Sequence, residues 1–275
     1  MNQLSAEGVI LVAYDGSPHS QAALEWAAAT ATREGRSVRA VSVAESRASA
    51  DGDVDDALQR RFGAVLAAAE ADGSFEELSG DVATVLLEQS RHAHVVVAGT
   101  RGRGRTATTL LGSVSQHLAR HAPCPLIVVR PPDSPAAARI VAGVDGSLQS
   151  IAALRFACHR ASFTHEAVVA LHAWRPGHVD LDYSGQLPET IGERTEAAEA
   201  LLDECIAEVR ADYPDVAVEP DSVPSPPTKA LTDASAYASL VVTGSRGRGV
   251  VAGLVLGSVS QHLLNHARSP VAVTR

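Results

Sequence analysis

Gly99, Gly102, Gly112 and Ser113 stand at offsets that recur unchanged as Gly244, Gly247, Gly257 and Ser258. Residues 99–118 and 244–263 agree at 14 of 20 positions, so the stretch is an internal repeat. The chemistry this pattern offers is anion binding. Glycines let backbone N–H groups approach a ligand with no Cβ in the way. A helix starting just after them brings further N–H groups and a favourable dipole to phosphate oxygens. Ser115 and Ser260, two residues further on, extend the same reading. A simpler one exists: Ser113-Val-Ser-Gln116 and Ser258-Val-Ser-Gln261 fit the S-x-x-Q capping box, in which the first serine only caps its helix. That leaves the matched glycines unexplained.

Asp15 and Asp145 open the two repeats within Asp-Gly-Ser. Asp-Gly is common in turns, but a carboxylate at the end of a first strand also accepts hydrogen bonds from ribose hydroxyls. Arg101, Arg103, Arg246 and Arg248 lie inside the glycine loops, where they either counter phosphate charge or are solvated. No aromatic residue interleaves these Arg-Gly runs to stack bases, which disfavours RNA binding. His117/His121 and His262/His266 have the i, i+4 spacing of metal ligands. No third ligand stands at a helpful spacing, so they read as partly buried, hydrogen-bonded histidines. Lys229 is the only lysine; neither loop can supply the lysine of a P-loop NTPase. Cys124, Cys158 and Cys205 form neither a disulfide framework nor a zinc pattern and read as buried free thiols.

These residues need strands to deliver them and helices to receive the ligand. Apolar runs at Gly8–Tyr14, Ser37–Val43, His94–Gly99 and Pro125–Arg130 predict strands, with a weaker one at 74–79. Helices are expected from Pro18, capped by Ser17, to about Arg33, and over about 54–71, 81–91 and 114–121. Pro131-Pro132-Asp-Ser-Pro135 reads as a linker. The order then restarts at Arg139–Val144, with a helix to about Ser162 and a strand at Ala167–Ala173. The Asp-Gly-Ser motifs are offset by 130 residues and the glycine loops by 145, which puts an insertion mostly within 175–192. Strands alternating with helices predict an α/β fold: two tandem doubly wound domains over 1–132 and 138–275, each a parallel sheet covered on both faces. Such sheets bind ligands at the carboxyl ends of their strands, where Asp15 and Gly99 fall.

Composition narrows the partners. The chain has 275 residues, 45% of them hydrophobic, and a formal net charge of −9, which disfavours nonspecific binding to nucleic acid or an anionic membrane. No apolar run approaches the ~18 residues of a membrane helix, and the N-terminal residues lack a basic stretch before an apolar core. A soluble cytoplasmic protein is expected.

The complete G-x2-G-x9-G-S motif in both halves, Asp-Gly-Ser at the head of each, and the Pro-led strands Pro125-Leu-Ile-Val-Val and Pro270-Val-Ala-Val resemble a tandem universal stress protein of the ATP-binding type. The resemblance implies five parallel strands per domain in the order 3-2-1-4-5. It also implies pairing through the last strand, either in a homodimer or within one chain. It implies ATP as the ligand, with any Mg2+ carried in on the nucleotide. Adenine would meet the backbone at Val43 and Ala173. Ribose would meet Asp15 with Gly99, and Asp145 with Gly244. Phosphates would meet Gly102, Gly112, Ser113 and Ser115, and in the second repeat Gly247, Gly257, Ser258 and Ser260. A short middle loop in the first repeat, and Ser225-Pro226-Pro227 where the first repeat has Gly80-Asp81-Val82, point to unequal affinities.

Three functions compete: an ATP-binding stress or regulatory protein whose occupancy sets conformation or choice of an unknown protein partner, a slow ATPase or nucleotidyl-transferring enzyme, and a nucleotide-free scaffold. Phosphoryl transfer needs an oriented nucleophile and, usually, acids that hold Mg2+. The loops at 99–115 and 244–260 contain no Asp, Glu or Lys, which favours binding over turnover.

Overall fold

The computed structural model describes residues 8–44, 52–102, 111–130, 139–175, 191–248 and 256–275. The expected linker at 131–138, Arg103 and most of the 175–192 insertion lie outside them. The chain divides into two compact units, Met1–Pro131 and Pro132–Arg275.

The first unit runs β1 (Val9–Ala13), α1 (Pro18–Glu34), β2 (Val38–Ala44), α2 (Gly52–Ala69), β3 (Gly73–Ser79), α3 (Val82–Gln89), β4 (Ala93–Gly99), α4 (Ser113–His121) and β5 (Leu126–Val129). Its strands pair in parallel in the order β3-β2-β1-β4-β5. The second unit repeats this with β6 (Arg139–Gly143), α5 (Leu148–Thr164), β7 (Ala167–Ala173), α6 (Ile191–Arg210), β8 (Val218–Val223), α7 (Pro227–Ala234), β9 (Leu240–Gly244), α8 (Ser258–His266) and β10 (Val271–Thr274). Its order is β8-β7-β6-β9-β10, again all parallel. The order reverses beside β1 and β6. Right-handed crossovers therefore put the two helices made before the reversal on one face and the two made after it on the other. Accordingly α1 packs on α2 and α3 on α4, and α5 on α6 and α7 on α8.

Local chemistry fixes the elements. Ser17 accepts from the Ser20 N–H with Pro18 as first helical residue, and Gly35 ends α1 in the left-handed region at φ 63°. Ser147 accepts from the Ser150 N–H at the head of α5. Few aromatics are available, so small residues let helix and sheet approach closely: Ala23, Leu24, Ala27 and Ala28 are fully buried beneath strands such as Ile10-Leu11-Val12. Leu154 occupies the position of Leu24 in the second unit and is likewise 0% exposed. Leu154→Ala is expected to lower the unfolding free energy by about 2–5 kcal/mol, read from urea denaturation.

None of the three cysteines is in a disulfide. Burial pushes the Cys158 thiol up to about 12 and the Cys205 thiol up to about 11, while Cys124 is only half-buried. At neutral pH a disulfide-exchange reagent should titrate Cys124 in the native protein, and Cys158 and Cys205 only after unfolding. Rapid modification of all three in the native state would contradict this packing.

Candidate functional site

Each site begins where the first strand of its unit ends. Gly16 and Gly146 turn the chain at φ 75° and 76°, a region where only glycine is unstrained. The turn folds the aspartate back on its own helix. Asp15 Oδ1 accepts from the Ser17 N–H at 2.9 Å. Asp145 Oδ1 accepts from the Ser147 N–H at 3.0 Å and the Ser147 hydroxyl at 2.6 Å. The serine that caps the helix thus also holds the carboxylate.

The glycine loop closes onto this carboxylate. A Cβ on Gly99 would lie 2.5 Å from the His19 carbonyl oxygen, and one on Gly244 would lie 2.8 Å from the Gln149 backbone. Only glycine lets the first turn of α1 or α5 cross the end of β4 or β9. A Cβ on Gly102 would lie 2.6 Å from Asp15 Oδ2, and one on Gly247 would collide with Asp145 Oδ2. In the second unit the Arg248 N–H donates to Asp145 Oδ2 at 3.0 Å. Burial alone would push the Asp145 carboxyl up. Hydrogen bonds from the Ser147 hydroxyl and N–H, the Arg248 N–H and the Ser150 hydroxyl outweigh it and hold the group below the ordinary aspartate value. The aspartate is therefore a charged clasp across two loops, with lone-pair capacity left for a ligand hydroxyl.

Beyond the loop, the Gly112 N–H donates to Thr100 O at 2.8 Å and the Gly257 N–H to Ser245 O at 2.7 Å. These bonds bring the loop's two ends together. Gly112 and Gly257 are the N-caps of α4 and α8, with no side-chain cap. The capping-box reading is thus corrected: Ser113 and Ser258 are first helical residues, one position too late to cap. Both are exposed. The first backbone bonds of the two helices are Gln116 N–H to Gly112 O and Gln261 N–H to Gly257 O, so the N–H groups of residues 113–115 and 258–260 precede them at an open helix end. Gly112 and Gly257 adopt φ −69° and −71°, and a Cβ at Gly112 would meet only ordinary contacts at 3.5 Å or more. Among the described residues, neither backbone strain nor a close contact demands a glycine at 112; what it provides is bare backbone in front of the helix end.

Ser115 and Ser260 are buried, and their hydroxyls donate to Gly99 O at 2.9 Å and Gly244 O at 2.6 Å. With its one hydroxyl proton committed, each ties the helix to the strand end and is left with its N–H as the donor it can offer a phosphate. Arg101 Nε is buried and has no hydrogen-bond partner among the described residues.

In the second unit the pieces surround a cavity of about 620 Å³. Asp145, Ala173, Gly244, Gly247, Gly257, Ser258 and Ser260 all line it. In the first unit the loop contacts join Asp15 to Gly102, Gly99 to Ser115 and Gly112 to Thr100. Val43, the last residue but one of β2, pairs with Leu78, the last residue but one of β3. Sequence reasoning missed Trp174, His172, Arg194 and Leu231 in the cavity wall. The only available signal was that Trp174 directly follows Ala173. His172 Nδ1 lies 2.7 Å from Val144 O. Among the described residues the cavity gathers Arg194, Arg246 and Arg248 against one carboxylate, Asp145, a balance that suits a polyanion.

The histidine pairs lie side by side, with ring centroids 4.7 Å apart for His117/His121 and 4.3 Å for His262/His266. His266 Nδ1 is 3.0 Å from His262 O. Burial and the neighbouring His266 charge push the His262 imidazole below its ordinary value. Neither pair joins a cluster of three ligating side chains among the described residues. Among those residues, too, no helix is long and apolar enough to cross a membrane.

Residues 8–130 and 137–275 each match the model of the universal stress protein family. Universal stress protein Rv2005c of Mycobacterium tuberculosis is 35% identical over 292 residues, spanning 97% of this chain and 96% of that protein. Universal stress protein Rv2623 of the same organism is 38% identical over 227 residues, spanning 81% of this chain and 75% of its own length. The crystal structure of a universal stress protein from Archaeoglobus fulgidus aligns with a TM-score of 0.68 at 19% identity, over 97% of this chain and 98% of that one.

Proposed function

We propose that this chain, which belongs to the universal stress protein family, binds one ATP in each repeat and holds it rather than consuming it. Occupancy then sets conformation or the choice of a protein partner. The observation that carries the reading is the 620 Å³ cavity, a size typical of ligand sites, in which an open helix N-terminus, three arginines and a clasped aspartate converge.

The phosphates lie against the N–H groups that open α4 and α8, with the Ser113 and Ser258 hydroxyls as donors. Arg101, whose buried Nε has no hydrogen-bond partner among the described residues, and Arg246, which lines the cavity, offset their charge. Bare backbone at Gly102, Gly112, Gly247 and Gly257 lets them approach. The ribose meets Asp15 with Gly99 and Asp145 with Gly244. The base meets the strand ends at Val43 and Ala173. Ser115 and Ser260 position the helix. Any Mg2+ enters on the nucleotide.

Holding is favoured over cleavage by what the site residues already do. The carboxylate that lines the second cavity accepts three hydrogen bonds of its own loops. Lys229 is paired with Asp233 on α7. The test is to denature the purified protein, identify the nucleotide released, and assay hydrolysis of added Mg·ATP. Released or readily bound ATP, with turnover far below the ~10 per second typical of enzymes, is expected. Multiple turnovers at that typical rate would overturn the reading in favour of an enzyme.

A further inference from the structure

The repeats agree at their loops and differ where a base lies. In the second unit the residue after Ala173 is Trp174, 7% exposed, lining the cavity with its Nε1–H donated to Ser222 Oγ at 3.2 Å. That bond fixes the ring against β8. Strand registers equate Val168 with Val38, through Ile140 and Ile10, so the matching residue in the first unit is Ala44.

Two more differences lie beside it. Leu231 of α7 lines the cavity and settles on Gly143, where a Cβ would lie 3.0 Å from Leu231 Cδ1; the first unit has Ala13 at that position. Pro227, also in the cavity wall, opens α7 behind Pro226. The matched start of α3 is capped by Asp81, whose carboxylate accepts from the Thr84 N–H at 2.9 Å and the Thr84 hydroxyl at 2.6 Å. The first unit thus sets a fixed negative charge at the helix end where the second sets an apolar ring.

We infer that the second repeat is the tight nucleotide site, with Trp174 as its base-binding wall, and that the first repeat is a weaker site that fills and empties with nucleotide concentration. This rests on the reading of both loops as ATP sites. One chain then carries a resident nucleotide and a sensing site. An aromatic wall against a base is worth about ten- to a hundredfold in affinity, and Ala44 forgoes it.

The experiment separates the sites and titrates each with ATP by calorimetry. Gly102→Glu leaves only the second site and Gly247→Glu only the first. The Gly102→Glu chain is expected to bind at least about tenfold more tightly than the Gly247→Glu chain. Adding Trp174→Ala to the Gly102→Glu chain removes most of that advantage, while Trp174→Phe retains it. Should Trp174→Ala melt early, ATP quenching of Trp174 fluorescence in a Trp26→Phe chain gives the same answer, saturating at the lower of the two ATP ranges. Equal affinities in the two single-site chains, unchanged affinity in the folded Trp174→Ala chain, or no quenching while ATP binds would overturn the inference. Failure of both single-site chains and of the unaltered protein to bind ATP would instead overturn the ATP reading, and this inference with it.

Discussion

A chain carrying Gly102→Glu and Gly247→Glu is expected to lose ATP binding by more than a hundredfold at both sites, with its sheets intact. A Cβ added at Gly102 would lie 2.6 Å from Asp15 Oδ2, and the second loop is tighter still. The new side chain therefore pushes the loop off its clasp. Its carboxylate then stands where phosphate lies: two like charges about 4 Å apart repel by about 4 kcal/mol at a partly solvated site. Gly102→Ala with Gly247→Ala displaces the clasp without adding charge and should weaken binding by about tenfold. Calorimetric titration with ATP measures both effects, and circular dichroism and thermal melting report the fold. Near-native affinity in the glutamate double variant would remove the loops from the site.

The second large effect falls on the clasp itself. Asp145→Asn keeps an oxygen for Ser147 but turns an amide N–H toward the Arg248 N–H, which now donates to Asp145 Oδ2 at 3.0 Å. Two donors cannot share that bond. Losing a hydrogen bond to a charged group costs about 1.5–3 kcal/mol, so second-site affinity should fall by about ten- to a hundredfold. The pH dependence follows from the direction of the Asp145 shift. A carboxylate held below its ordinary value of 3.8 contributes stability that is fully present above that value. The contribution is lost only as pH falls through the lower, folded-state value. Second-site binding should therefore hold its clasp from pH 8 to pH 5 and fail only in stronger acid, as pH falls below 3.8 through the lower, folded-state value. Loss of the Arg248–Asp145 bond near pH 6, followed by NMR of the Arg248 amide, would contradict this assignment.

The fold was legible because buried parallel strands declare themselves: Val/Ile/Leu runs ended at Asp-Gly-Ser or at the loop glycine, and the observed strands begin and end within a residue or so of them. The cap at Ser17, with Pro18 behind it, was equally plain. Ser113 was not, because S-x-x-Q reads the same whether the serine precedes the helix or begins it. A bare Gly112 N-cap decides the matter only in three dimensions. Ser115 reaches Gly99 across 16 residues, a contact that no local pattern encodes. The loop glycines were visible as a duplicated spacing, but what each avoids was not: His19 and Gln149 backbone at one position, the two aspartates at the next. Trp174 lies just past the end of β7, Arg194 on α6 and Leu231 on α7, and only the crossover topology gathers them around one cavity.

On the proposed function, each repeat holds one ATP on its glycine loop. Equilibrium dialysis of the full chain against labelled ATP, over a range reaching millimolar, tests it directly. Two ATP per chain, falling to one in either single glutamate variant and to none in the double, is the predicted result. No ATP on the unaltered, folded chain, or two ATP still bound to the double variant, would contradict it.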